Sequence, residues 1–197
     1  MTRRIVGLAG SLRTASLNLR LLRAAVEAVP SGLEIVPYRR FAEIPLFSEE
    51  LEAVSEGNPP AVRELREVVR AADGVLIATP EYNQSLPGVL KNAIDWLSRP
   101  GPDEVLERKP VAIMGATTGP WGTRHAQKEL RHVLAVTGAY VMPQPMLFVP
   151  RADDAFDAEG RLADERVAGQ LSGLLDEFAG WIELVGSGTA ARRRGAA

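Results

Sequence analysis

A cluster of hydroxyl, amide and guanidinium groups at one strand-to-helix junction is the first place where this chain could do chemistry. Residues 10–18 read Gly-Ser-Leu-Arg-Thr-Ala-Ser-Leu-Asn, after an apolar stretch and before an amphipathic one. Unpaired backbone N–H groups and the helix dipole make such a junction favourable for an anion. Ser11, Thr14 and Ser16 add hydroxyls, Asn18 an amide and Arg13 a guanidinium, all suited to phosphate oxygens. Each has a plainer reading alone, Ser16 as a helix N-cap and Arg13 as a solvated loop residue. Their convergence on one turn points to an anion site.

A second loop, residues 79–88, reads Thr-Pro-Glu-Tyr-Asn-Gln-Ser-Leu-Pro-Gly. Pro80 stiffens the chain, and Tyr82 sets an aromatic face beside a row of backbone N–H groups, which suits a flat heteroaromatic ring. Pro87 falls in a helix's first turn with Ser85 as a plausible cap. Glu81 is a lone carboxylate and is read as a structural or backbone-contact residue rather than a general acid. Lys91 and Asp95, four apart, read as an exposed ion pair. A third loop, residues 115–124, brings Thr117, Thr118 and three glycines. Within it Trp121 is either a pocket wall or an interface residue, and Arg124 either attracts an anionic substrate or serves a surface contact.

Composition narrows what these loops can do. The 197 residues contain no Cys, which excludes disulfides, thiolate catalysis and Cys-ligated zinc or iron–sulfur sites. The two histidines, His125 and His132, share a helix face but lack further ligands, so no metal site is expected. The chemistry must therefore come from elsewhere, and a bound organic cofactor is the obvious candidate. A Walker loop is absent, because no Gly-Lys-Ser/Thr triplet occurs. A dinucleotide fingerprint is absent too, since only Gly7 and Gly10 stand where three glycines are needed. Arg39 and Arg40 follow the second strand and read as a surface pair rather than a 2′-phosphate site. Hydroxyls in place of glycines suit a compact monophosphate, which favours FMN over FAD or tightly held NAD. A net charge of −2 gives nucleic acid no global attraction. The apolar runs are strand-sized, so no membrane span is expected. The apolar stretch after Arg3-Arg4 ends at Ser11, too soon for an export leader, and a cytoplasmic protein is expected.

The elements that must hold these loops follow from hydrophobic periodicity. Residues 5–9, 33–38, 75–79, 111–116 and 140–142 run apolar without alternation and read as strands buried on both faces. Between and after them, residues 17–29, 61–72, 87–98, 123–137 and 164–185 carry helical periodicity. Five β–α units imply a parallel sheet with helices on both faces, a three-layer α/β sandwich. Five strands suit the flavodoxin-like order 2-1-3-4-5, with the ligand beyond the carboxyl ends at the switch between strands 1 and 3. Residues 39–60 read as a surface excursion after the second strand. One domain is expected over residues 1–186, followed by a flexible basic tail over 187–197.

The stretches at 10–18 and at 79–99, the latter Thr-Pro-Glu-Tyr-Asn-Gln-Ser-Leu-Pro-Gly-Val-Leu-Lys-Asn-Ala-Ile-Asp-Trp-Leu-Ser-Arg, closely resemble the NADPH-dependent FMN reductase family. That family includes bacterial quinone, chromate and azo-dye reductases of flavodoxin-like fold, and the resemblance spans roughly residues 4–185. It implies that Ser11, Arg13, Ser16, Leu17 and Asn18 hold the FMN phosphate. It further implies that Pro80, Glu81, Tyr82 and Asn83 line the isoalloxazine, largely through backbone groups, together with Thr117. Pro120 and Trp121 depart from the family's Gly-rich third loop. A homodimer or homotetramer is implied, with Trp96 and Leu97 either near its interface or in the core.

The expected cycle is ping-pong: NADPH or NADH is the co-substrate, a hydride passes to bound FMN, and a small-molecule acceptor such as a quinone, flavin, azo compound or metal oxyanion collects the electrons. No side chain is assigned as catalyst, because the cofactor supplies the reactivity. The competing readings are a non-enzymatic FMN electron carrier and a redox sensor. Carriers are commonly strongly acidic, and a pI near 5.8 argues against one.

Overall fold

Apolar runs too short to be helices pair with one another as parallel strands, and the amphipathic segments between them cover both faces of the sheet. The computed structural model describes residues 2–54, 58–99 and 104–195, with side chains described through residue 186 apart from that of residue 54. The strands are β1 (Arg3–Ala9), β2 (Leu33–Pro37), β3 (Gly74–Ala78), β4 (Pro110–Ala116), β5 (Tyr140–Val141) and β6 (Leu147–Val149). The helices are α1 (Leu17–Glu27), α2 (Glu49–Val54), α3 (Pro60–Ala71), α4 (Gly88–Leu97), α5 (Arg124–Val136) and α6 (Glu165–Gly195). The order across the sheet is β2-β1-β3-β4-β5, with β6 also pairing β4, and every pairing is parallel. This is the flavodoxin-like order expected from the sequence.

The strands divide their side chains between two cores. Ile5, Leu76 and Met114 meet Leu21 and Leu22 of α1 and Leu174 and Phe178 of α6 on one face. Val6, Val75 and Ile113 meet Val62 and Leu65 of α3, Leu90 and Ile94 of α4 and Leu130 of α5 on the other. Burial on both sides is why these strands read as continuous apolar runs. The core also settles the place of two residues: Trp96 is 0% and Leu97 1% exposed, so both belong to the interior of the protomer.

Two elements differ from the expectation. The single fifth strand is split in two, with β5 pairing the start of β4 at Pro110 and Val111 and β6 pairing its end at Met114 to Ala116. Pro143 and Pro145 lie between them and have no N–H to give the ladder, which interrupts the edge partner. Three apolar residues between prolines are too few to show a strand period, so β6 was not legible. Within the surface excursion expected over residues 39–60, some apolar side chains turn back to the core, which the sequence did not show. Their 3-10 turn (Phe41–Glu43) buries Phe41, and Phe47 sets its ring edge-on to Trp96 with centroids 4.9 Å apart. Asn92 accepts from the Phe47 N–H at 2.8 Å and donates to the Pro45 carbonyl at 2.9 Å. Trp96 Nε1 donates to the same carbonyl at 2.8 Å. The tail expected over 187–197 falls on α6 as far as Gly195 and on residues outside the description, and its side chains lie outside it throughout.

Tyr38, just after β2, is buried, and its hydroxyl donates to the Ala61 carbonyl at 3.2 Å. Burial first, and the Glu64 carboxylate second, push its phenol up to about 12. The unfolded chain releases this proton near pH ~10. The stabilisation is therefore complete below that pH and is lost as pH rises toward about 12. Tyr38→Phe should abolish a late phenolate transition in the ultraviolet absorbance titration and flatten the fall in unfolding free energy across the same window.

Candidate active site

Three loops meet at the carboxyl ends of β1, β3 and β4, and hydrogen bonds between them set their spacing. The first, residues 10–16, is anchored where the Gly10 N–H donates to the Ala78 carbonyl at 2.9 Å. A Cβ on Gly10 would come within 3.2 Å of the Pro87 and Leu90 side chains, so this glycine lets the loop rest on the start of α4. Ser16 caps α1 by accepting from the Leu19 N–H at 3.3 Å. Among the described residues, the N–H groups of Ser11, Leu12, Thr14 and Ala15 donate to no protein acceptor. Those of Leu17 and Asn18 are the open donors of the helix's first turn. This row of free donors can cradle a phosphate. Ser11 and Ser16 are buried beside it, and Arg13 is exposed with no ion pair among the described residues.

Asn18 has a second role that the sequence did not reveal. Its Nδ2 donates to the Ala116 carbonyl at 2.9 Å, and its Oδ1 accepts from the Ala116 N–H at 2.9 Å. The side chain is 2% exposed. One residue thus clips α1 to the last residue of β4, holding the first and third loops at a set distance.

The second loop, residues 79–87, contains a two-residue hairpin. Tyr82 and Ser85 exchange backbone hydrogen bonds at 3.1 and 3.0 Å, and Asn83 and Gln84 between them have φ of 50° and 61°. Left-handed geometry at both central positions is the tight-turn form that Asn tolerates and Gln resists. The turn leaves the Tyr82 ring 47% exposed. The N–H groups of Glu81, Asn83 and Gln84 meet no protein acceptor among the described residues, which leaves them open to the edge of a flat ring. Pro80 is buried, and Thr79 Oγ1 donates to its carbonyl at 2.8 Å.

Glu81 reaches across to the third loop. Oε2 accepts from the His125 N–H at 2.8 Å and the Ala126 N–H at 3.0 Å. The residue before α5, Thr123, has φ of 66° and makes no side-chain cap, so the carboxylate of another loop satisfies the open helix end. This is the structural role expected of Glu81, with a partner the sequence could not name. Gly115 is equally specific. A Cβ there would lie 2.5 Å from the Thr79 carbonyl oxygen and would collide with Thr123 Oγ1.

In the third loop Thr117 donates its N–H to the Val149 carbonyl at 3.1 Å, and its hydroxyl accepts from the Gly119 N–H at 3.3 Å. Trp121 is 66% exposed and lines a cleft of about 580 Å³ with Met146 and Arg124. Arg124 stacks over the Phe148 ring at 4.6 Å. Lys91 and Asp95 form the expected pair at 2.6 Å. Among the described residues no cluster of His, Cys, Asp and Glu could hold a metal.

Three substitutions test this geometry. Asn18→Ala leaves the buried N–H and C=O of Ala116 unsatisfied and should lower unfolding free energy by about 2–4 kcal/mol in urea titration. Glu81→Gln keeps an acceptor but removes the charge at the N-terminus of α5, with an expected loss of about 0.3–1 kcal/mol in the same assay. Gly115→Ala should cost about 1–3 kcal/mol or more and lower the melting temperature, because its nearest obstacle includes backbone.

Known proteins resemble this chain along most of its length. The family model for NADPH-dependent FMN reductase matches residues 3–154. An NAD(P)H-dependent FMN reductase of Pseudomonas aeruginosa is 42% identical over 179 residues, covering 91% of this chain and 95% of that protein. A quinone reductase of Escherichia coli is 39% identical over 182 residues, covering 92% and 96%. Among solved structures, the flavoenzyme NAD(P)H:(acceptor) oxidoreductase FerB of Paracoccus denitrificans superposes with a TM-score of 0.84 at 34% identity, over 92% of this chain and 98% of that one. With its sheet order, its three loops and its nearly full-length relatives, this chain belongs to the NADPH-dependent FMN reductase family.

Proposed function

We propose that this chain is an FMN-dependent NAD(P)H oxidoreductase that reduces quinone-type and related small-molecule acceptors by a ping-pong cycle. The observation that carries the reading is the row of unpartnered N–H groups at Ser11, Leu12, Thr14 and Ala15 at the head of α1. A phosphate monoester fits that cradle, with Ser11, Ser16 and Arg13 adding charge-assisted and hydroxyl hydrogen bonds. The open N–H groups of Glu81 and Asn83, the Tyr82 ring and Thr117 would hold the isoalloxazine. Leu17 contributes the first N–H of the helix, and Asn18 acts by holding the first loop against Ala116. When bound, FMN supplies reversible two-electron chemistry, accepting a hydride from NAD(P)H and returning electrons to the acceptor.

The protein's part is placement and electrostatics. Backbone N–H groups of the second loop would stabilise negative charge at the ring edge. Glu81 serves through its Oε2 as the cap of α5. A homodimer or homotetramer belongs to the reading, supported by the exposure of Leu12, Tyr82 and Trp121, one from each loop. No helix among the described residues is long and apolar enough to cross a membrane, and a cytoplasmic site with ready NAD(P)H suits the chemistry.

Visible spectroscopy tests the reading. The purified protein, reconstituted with FMN, should show a flavin spectrum that NADPH or NADH bleaches anaerobically and that a quinone restores. Protein that takes up no FMN overturns the reading. Bound flavin that neither nucleotide bleaches contradicts the oxidoreductase and leaves a carrier or sensor. Arg13→Ala should weaken FMN binding about tenfold in a fluorescence titration, the scale of one charged hydrogen bond, while the melting temperature of the apoprotein stays unchanged.

A further inference from the structure

The cleft of about 580 Å³ beside the third loop takes none of its lining from the phosphate cradle at 10–18 or from the second loop at 79–87. It is lined by Phe148 of β6, by Trp121 and Met146, and by Arg124 and Arg166 from the starts of α5 and α6. Two hydrogen bonds set it next to the residues given to the flavin ring. The Glu81 carboxylate accepts at 2.8 Å from the N–H of His125, the residue after Arg124. Thr117, four residues before Trp121, donates its N–H at 3.1 Å to Val149, the residue after Phe148.

The charge of this cleft runs against that of the chain. The protein carries −2, yet among the described residues the cleft is lined by two arginines and no carboxylate. Arg166 is already shared between Asp164 at 3.5 Å and the Gln170 amide oxygen at 3.2 Å. Arg124 is not: among the described residues it makes no ion pair and no side-chain hydrogen bond. Its guanidinium carbon lies 4.6 Å from the centroid of the Phe148 ring. Stacking occupies the face of a guanidinium and leaves the N–H groups in its plane free to fork onto an oxyanion. Arg124 is also the first residue of α5, whose first turn contains no acid. A cation there stands at the disfavoured end of the helix dipole, and a bound anion would offset that penalty.

The remaining walls suit an aromatic ring better than a bare inorganic anion. Trp121 is 66% and Met146 40% exposed, so both offer apolar surface to a flat ligand beside Arg124. Trp121 has area enough to serve both the cleft and a neighbouring subunit. It stands with Pro120 where the family's third loop is Gly-rich, so this wall belongs to this chain rather than to the family pattern. We propose that the cleft is an acceptor subsite for aromatic compounds bearing a carboxylate or sulfonate, with Arg124 pairing the oxyanion and Trp121 and Met146 against the ring. An anionic quinone bound there leaves as its hydroquinone, having gained the two electrons and proton of the NAD(P)H hydride and one proton from solvent. The proposal rests on the oxidoreductase reading for this reduction, but the cleft's affinity for the anion is measurable without turnover.

Calorimetric titration of the FMN-loaded protein with naphthalene-2-sulfonate and with the neutral naphthalene-2-sulfonamide reads the site directly. The sulfonate should bind about tenfold more tightly, the scale of one charge-assisted contact. Arg124→Gln should remove most of that difference, Arg124→Lys should keep part of it, and Trp121→Ala should weaken both ligands alike. Both Arg124 variants should melt at the wild-type temperature and sediment at the wild-type size. In turnover the sulfonate should compete with the quinone. Arg124→Gln should also lower, about tenfold, the ratio of kcat/KM for 1,4-naphthoquinone-2-sulfonate to that for 1,4-naphthoquinone. Equal affinity for sulfonate and sulfonamide overturns the proposal, as does a difference that survives Arg124→Gln. Sulfonate that fails to compete with the quinone overturns the acceptor role. A changed sedimentation of Arg124→Gln overturns it too, because the cleft would then be a subunit contact. Selective binding of the sulfonate by a protein that neither NADPH nor NADH bleaches would instead refute the oxidoreductase reading, and the acceptor role with it, and leave the anion site standing.

Discussion

The two hydrogen bonds between the Asn18 amide and the backbone of Ala116 are the constraint on which the rest of the site depends. A parallel strand ends by releasing its N–H and C=O groups, and at β4 those groups are buried where water cannot reach them. Leaving them unpaired would cost about 1–3 kcal/mol each. Asn18 satisfies both at once, and because it sits in the first turn of α1 it also decides where that helix begins. The phosphate cradle and the third loop are thus placed by one side chain that need not touch a ligand.

Two further ties complete the arrangement. Gly10 hydrogen-bonds to Ala78, joining the first loop to the end of β3, and Glu81 caps α5, joining the second loop to the helix after the third. Gly115 permits the closeness, since Thr79 and Thr123 occupy the space a side chain would need. With its own polar groups paired at these ties and free elsewhere, the loop cluster presents donors where a phosphate and a ring edge would sit. That is preorganisation: the protein orders its dipoles on folding rather than on binding. It also explains how a chain without Cys, and with only two histidines, can belong to a family of oxidoreductases whose reactivity the cofactor supplies.

Much of this was legible in the sequence. The buried strands announce themselves because burial on both faces removes alternation, and five β–α units suit the flavodoxin-like strand order. Loops rich in Ser, Thr, Asn and Pro at strand ends marked the site. What could not be read was contact between distant residues. Nothing local in Leu17-Asn18-Leu19 shows that the amide faces a strand end 98 positions away, and nothing near Glu81 names α5. The split of the fifth strand escaped because β6 is three residues long and stands beside prolines. The segment 39–60 looked like an excursion because its prolines and acids hide Phe41 and Phe47, whose burial depends on α4. Arg39 and Arg40, read as a pair, differ in the same tertiary sense: among the described residues Glu43 and Glu64 hold Arg40, and no carboxylate pairs with Arg39.

The central claim is that the first two loops, tied by hydrogen bonds to each other's neighbours and to the third, offer free backbone donors to one flavin. Amide hydrogen exchange of the apoprotein with and without saturating FMN tests it most directly, peptide by peptide. The account predicts fast exchange in the apoprotein at residues 11–15 and at Glu81, Asn83 and Gln84, and protection of both segments together on adding FMN. Slow exchange at Ala116 in both states would mark the Asn18 tie as present before binding. Protection confined to one of the two loops, or absent from residues 11–15, would contradict the account.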